Sequence, residues 1–337
     1  MRTRVAIVIA LTVVFLLIVL WGVDVELAAT DLRHVRWWWV LLALVLQTIN
    51  LAVRTWRFEA LLDAAVGWWR LFSVMAVSFM AINVMPFRLG EGVRPYLLAE
   101  MHHVSVGDSL AAVVQERLLD ILALAVLLIL VGWGIEGQAI VAGVDIFQAG
   151  QSAMVSTLLV GLVGVVVVMV VGRPLLEPLS AISSRVSPTV GQMLQAHGGA
   201  FVDSFQAMAV RPWKLGIALL LTALAWLLAY GVFFAMAMAF GDMTHGPMEV
   251  CAALVGAMVG VVVLPTPGFF GGYEAGSVAV LRLVGVTPHL SRVFSIVTHL
   301  VVFGHTVILG LLFAFYEGYS LRRLMGASQA MELQKRS

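Results

Sequence analysis

The sequence predicts an all-α polytopic membrane protein, about six full spans plus two re-entrant helical hairpins broken by Pro and Gly. Composition is the first sign. Of 337 residues 61% are hydrophobic and 12% charged, with a mean hydropathy of +1.02, where soluble domains carry roughly 25% charge. The second sign is a set of six apolar runs long enough to cross a bilayer, and the third is a pair of further apolar runs that stop at clusters of Pro and Gly.

The first run, residues 5–22, holds no charge over 18 residues, and at about 1.5 Å per residue it reaches the thickness of the hydrocarbon core. It follows Arg2 and Arg4 as a signal peptide would, but it is long, ends in Trp21-Gly22 and lacks a small-x-small cleavage site, so it reads as an uncleaved anchor. The other spans are residues 37–53, 110–133, 154–172, 215–240 and 292–316. Residues 71–85 run into "NVMPFRLGEGVRPYLLAE" (83–100), and residues 248–264 run into "PTPGFFGGYEAGSVAVL" (265–281). Residues 173–212, with Pro174, Pro178 and Pro188, read as short amphipathic helices on the cytoplasmic surface. Trp37, Trp38, Trp39, Trp68, Trp69 and Trp213 end apolar runs, as interfacial anchors do. Cys251 is the one cysteine, so no intrachain disulfide can form; it reads as a packed small hydrophobe.

Arginine placement orients the chain, since short cytoplasmic loops are enriched in Lys and Arg. Basic residues gather at Arg2 and Arg4, at Arg54, Arg57 and Arg70, at Arg173, Arg185, Arg211 and Lys214, and at Arg322, Arg323, Lys335 and Arg336, whereas 134–152 and 241–247 hold acidic residues alone as formal charges. Both termini are then cytoplasmic. Six crossings close only if the two broken segments enter and leave on one side each, the first from the cytoplasm and the second from outside. Pro267 follows Pro86 by 181 residues, Glu274 follows Glu91 by 183 and His299 follows Arg117 by 182. A near-constant offset with opposite entry sides is the trace an inverted repeat leaves. The expected organisation is one transmembrane domain over residues 1–326, with halves 1–152 and 153–326, and a cytoplasmic tail at 327–337.

A helix broken inside a bilayer leaves backbone groups that only protein or a water-filled cavity can satisfy. In the first break, Pro86 and Gly90 interrupt the helix, and Arg88, Glu91 and Arg94 come to membrane depth, where charges are costly and mark function. The alternative is an ordinary loop with Arg94 pairing Glu91 on its surface. In the second break, Pro265, Pro267, Gly268 and Gly271 precede Glu274, which either approaches a ligand or caps a half-helix. In "QERLLD", Glu116 and Asp120 share a helix face and Arg117 can pair Asp120, as structure or as function. Arg54 and Arg57 read as ends of the second span that meet lipid phosphates. His299 and His305 stand six apart, on different faces, which argues against a shared metal. No Walker A, Rossmann, zincin or CxxC motif is present, so the expectation is no cofactor, no metal site and no nucleic-acid partner.

"PFRLGEGVRPYLLAE", "QERLLD" and "LPTPGFFGGYE" together resemble the integral-membrane, flippase-like region of lysylphosphatidylglycerol synthases. The match rests on Pro86, Arg88, Gly90, Glu91 and Arg94, then Glu116, Arg117 and Asp120, then Pro265, Pro267, Gly268, Gly271 and Glu274. The third block departs in carrying Phe269-Phe270-Gly271-Gly272 where a shorter Gly-x-Gly is common. The resemblance implies a bacterial inner-membrane protein that moves a charged lipid between leaflets. After residue 316 only 21 residues follow (337 − 316), so the aminoacyl-transferase domain of the bifunctional members is not expected. The ligand is then a phospholipid or isoprenoid-linked lipid, and further partners would be a second copy or lipid-biosynthesis enzymes. A membrane-embedded transferase or an accessory subunit of lipid or glycolipid synthesis is the rival reading.

Overall fold

A computed structural model describes residues 25–62, 64–85, 90–134, 140–141, 144–145, 156, 163–164, 167, 171–186, 188–241, 246–263 and 266–318. The first apolar run, most of the run at 154–172 and the tail at 327–337 lie outside the described residues, as do Pro86, Arg88 and Pro265.

Eleven helices are present among the described residues. Helix α1 (Val25–His34) leads into α2 (Trp37–Leu61), α3 (Trp68–Val84), α4 (Val93–His102) and α5 (Val106–Gly134). Two surface-type helices follow, α6 (Leu176–Val186) and α7 (Pro188–Ala209), then α8 (Pro212–Ala239), α9 (Pro247–Val263), α10 (Gly272–Leu283) and α11 (Pro288–Tyr316). A two-residue ladder pairs Ile140 with Asp145 and Val141 with Val144. Among the described residues, α2, α8 and α11 are long and apolar enough to cross a membrane. Helix α5 is as long as α11, at 29 residues, but carries Glu116, Arg117 and Asp120.

Two runs of four helices follow one another in the same order of lengths. Helices α2, α3, α4 and α5 have 25, 17, 10 and 29 residues, and α8, α9, α10 and α11 have 28, 17, 12 and 29. Helices α2 and α8 lie antiparallel: Arg36 N–H donates to Ala239 O (3.0 Å), Asn50 Nδ2 to Ala225 O (2.6 Å) and Arg57 Nη1 to Thr222 Oγ1 (3.2 Å). Contacts are also exchanged between the two runs, since α3 packs on α11 and α9 packs on α5, while within the second run α9 packs on α10 and α10 on α11. Lipid tails supply little hydrophobic drive between helices, so close approach must come from small side chains. Ala43, Ala218, Ala225, Ala235, Ala237 and Ala239 are accordingly buried on α2 and α8. Helices α9 and α10 approach most closely through Gly256 and Gly260 against Gly272 and Gly276: a Cβ on Gly276 would lie 2.0 Å from Gly256 O, and one on Gly260 2.0 Å from Gly272 O.

One boundary differs from the sequence reading. The second span does not stop at residue 53 but continues two turns to Leu61, because the arginines that looked like its end are neutralised by α5. The amphipathic segment forms α6 and α7, with the exposed Arg173 Nε donating to Asp203 Oδ1 at 2.9 Å and holding that carboxyl below the usual aspartate range. Trp37, Trp38, Trp69 and Trp213 are exposed, as anchors at an interface would be.

Candidate functional site

Helix α2 places Asn50, Arg54 and Arg57 on one face through steps of four and three residues. On α5, Glu116 and Asp120 share a face by the same rule, and they meet that arginine row. Arg57 lies fully buried between them: its Nη1 donates to Asp120 Oδ1 (2.6 Å) and its Nη2 to Glu116 Oε1 (2.7 Å) and Asp120 Oδ2 (3.3 Å). The second oxygen of Glu116 accepts from Arg94 Nη1. Arg94 arrives from the second residue of α4, just after the first break, and its guanidinium lies over Phe58 (4.7 Å) and Phe79 (5.1 Å), a favourable cation–π setting. Arg54 Nε donates to Asn50 Oδ1 (2.8 Å) and its Nη1 stands 3.9 Å from Asp120. Arg117 stands 3.6 Å from Asp120 and 3.9 Å from Glu91, both contacts at the half-buried edge of the cluster.

Ions out of water are costly unless paired and hydrogen-bonded on every side. Among the described residues, four guanidinium groups (Arg54, Arg57, Arg94, Arg117) face three carboxylates (Glu91, Glu116, Asp120), which leaves one positive charge in excess. Among the described residues, Arg57 Nε, Arg94 Nε, Arg94 Nη2 and Arg117 Nε are buried and meet no acceptor. Such donors suit a further anion, because the guanidinium fork matches phosphate and carboxylate oxygens.

A second polar centre sits at the other break. The turn Pro267–Phe269 carries Gly268 at φ 62°, and Gly271 precedes α10 at φ 85°. Both lie in the left-handed region that glycine enters without a side-chain penalty. Glu274 Oε2 accepts from Gly271 N–H at 2.7 Å, closing the first turn of α10. Its Oε1 lies 2.5 Å from His299 Nδ1, and His299 Nε2 faces Gly268 O at 2.9 Å. The imidazole is wholly buried, its centroid within 4.5 Å of the rings of Phe270, Tyr273 and Phe303. The two breaks adjoin, since a Cβ on Gly268 would meet Asn83 O, on the last turn of α3, at 3.5 Å.

The structure therefore gathers Arg94, Glu116, Arg117 and Asp120 with Glu91 at their edge. It seats Glu274, with Gly268 and Gly271, apart from any arginine named above. Glu274 caps its helix, and Arg117 pairs Asp120, both as the residue spacing allowed. Arg94 turns inward to Glu116 rather than to Glu91. The reading of Arg57 as a lipid-phosphate contact is corrected: the helix continues past it and buries it, and it has become the hub of the cluster. His299 was also missed as a site residue. Its signal was the offset of 182 from Arg117, and both residues stand eleven positions after the first residue of their helices (117 − 106 and 299 − 288).

Residues 5–310 match the family described as Lysylphosphatidylglycerol synthase TM region. No curated protein and no solved structure matches the chain.

Proposed function

Because the chain belongs to the lysylphosphatidylglycerol synthase TM region family, a multi-pass family tied to membrane lipids, we propose that it carries an anionic or charged lipid headgroup between leaflets. The observation that carries this reading is the surplus of buried guanidinium donors at Arg57, Arg94 and Arg117. A phosphate there would complete their hydrogen bonds and offset the excess charge, while the tails stay in lipid. Arg88, in the same sequence block as Glu91 and Arg94, would add a further cation, and Glu91 would hold Arg117 in place.

Similar helix lengths in the same order, antiparallel α2 and α8, and the reciprocal packing of α3 on α11 and α9 on α5 support halves 1–152 and 153–326 as an inverted repeat. Such halves can rock about a fixed site and open it to each side in turn. The setting that fits is a bacterial inner membrane with both termini cytoplasmic.

The test is reconstitution of the full chain in vesicles of phosphatidylethanolamine and phosphatidylglycerol, following a fluorescent phosphatidylglycerol that is quenched only in the outer leaflet. Arg94→Gln leaves Glu116 paired to Arg57, so folding should survive. A hydrogen bond to a charged group contributes about 1.5–3 kcal/mol, so the translocation rate should fall about 10- to 150-fold. An undiminished rate in folded Arg94→Gln would overturn the proposal. Product synthesis in detergent, where leaflets do not exist, would favour a transferase.

A further inference from the structure

Resting on the translocation reading, we propose that the Glu274–His299 pair is a proton-binding site, and that the proton it holds latches the second break shut and couples lipid movement to a proton gradient. The argument begins with hydrogen-bond polarity. A neutral imidazole has one donor nitrogen and one acceptor nitrogen. Yet both ring nitrogens of His299 face oxygen: a carboxylate oxygen at 2.5 Å and a backbone carbonyl at 2.9 Å. The carbonyl can only accept, so Nε2 carries a hydrogen. The short Nδ1–Oε1 contact needs a second one, held by either partner. The pair thus binds two protons and is neutral overall, whichever side the shared one occupies.

That shared proton is the removable one. If it leaves to water, the electron pair of its bond stays on the pair, whose net charge falls from zero to −1. The one hydrogen left on the imidazole then serves the ionised Oε1 from Nδ1, so a lone pair on Nε2 faces the Gly268 carbonyl and that contact turns repulsive. The imidazole joins three pieces of chain, since it belongs to α11, touches α10 through Glu274 and touches the turn through Gly268. Losing the contact therefore frees the turn from α11. Strain is already present beside it, where Phe269 adopts φ 60°, a left-handed conformation unfavourable for a residue with a side chain.

No other described charge is positioned to take the proton's place. On α10 the remaining ionisable groups are Tyr273, whose ring lies 4.5 Å from the imidazole, and Arg282 near the far end; on α11 they are His289, Arg292, His305 and, at its end, Tyr316. His289 bonds Asp31 of α1, and His305 bonds Thr48 of α2. Helix α9 contributes Glu249 and Cys251 in its first turns, and α3 contributes Arg70 in its first. Helix α2 brings Arg54 and Arg57, which turn to Asp120 and Glu116, and Glu59 beyond them; α8 brings Lys214 at its start and Tyr230, which donates to Pro247 O. The partner that holds the proton opposite His299 is Glu274.

Two measurements test this. In the same vesicles, a pH gradient should bias the leaflet distribution of the fluorescent phosphatidylglycerol, approaching about tenfold per pH unit if one proton moves per lipid. Glu274→Gln, which keeps an acceptor for Gly271 N–H, should abolish the bias, and so should His299→Gln. A wild-type protein that moves lipid with no bias would overturn this inference while leaving the translocation reading intact. Isotope-labelled histidine spectra of the full chain in nanodiscs decide the point without transport. The signal lost in His299→Gln should change protonation state with pH in the wild type and not in Glu274→Gln. A signal fixed in one state wherever the protein stays folded makes the pair a static clamp and overturns the proposal, even if no lipid moves.

Discussion

Replacing Arg57 by leucine is expected to destabilise the folded chain by about 3–5 kcal/mol, the usual cost of removing one partner from a buried ion pair. Glu116 and Asp120 would lose their shared donor at once, and each would be an ionised group with too few hydrogen bonds where water is scarce. Arg57→Lys should fall between, because an ammonium point charge cannot bridge two carboxylates as a planar fork does. Thermal unfolding in detergent, followed by tryptophan fluorescence, measures both. The diagnostic variant is Arg57→Leu combined with Asp120→Asn: taking away an orphaned charge together with its partner is far less costly than orphaning it, so part of the loss should return. A single Arg57→Leu as stable as the wild type would mean that the cluster contributes nothing to folding.

The second large effect is expected at Gly276. A Cβ there would sit 2.0 Å from a backbone oxygen of Gly256, and backbone cannot rotate aside as a side chain can. Gly276→Val should therefore force α9 and α10 apart, with a cost at or above the usual 1–3 kcal/mol of overpacking, and should disturb the turn that His299 holds. Gly304→Ala is the control, since nothing lies within 4 Å of a Cβ at that position; a helical glycine of that kind should tolerate alanine or gain slightly from it. Melting temperature and translocation rate, measured on both, separate a packing defect from a general intolerance of substitution.

Much of the architecture was legible because its cause is local. Long uncharged runs have to be helices in hydrocarbon, and the runs at 37–53, 215–240 and 292–316 became α2, α8 and α11. Pro86, Gly90, Pro267 and Gly271 announced two interruptions, and α4 and α10 begin just beyond them. Glu274 could be read as a cap from its place three residues after Gly271. What sequence could not supply was direction. Arg57 follows Arg54 by three residues at what looked like a helix end, but apolar residues resume with Phe58, Leu61 and Leu62, and that resumption was the overlooked signal for a longer helix with an inward charge. The glycine contact between α9 and α10 was visible as two Gly-x-x-x-Gly spacings, 256–260 and 272–276, a pattern known for close helix approach. The partners of Arg94 and His299 lie 22 and 25 residues away in sequence, beyond the reach of any helical periodicity.

The contact of Gly268 with Asn83, together with the exchange of packing between halves, has a mechanical consequence. Helix α3 leans on α11 and α9 leans on α5, so the two are geared, and neither could swing without dragging the other's footing. A gap on both faces at once would require the gears to disengage entirely. In the proposed translocation, that gearing would keep a continuous pore from opening.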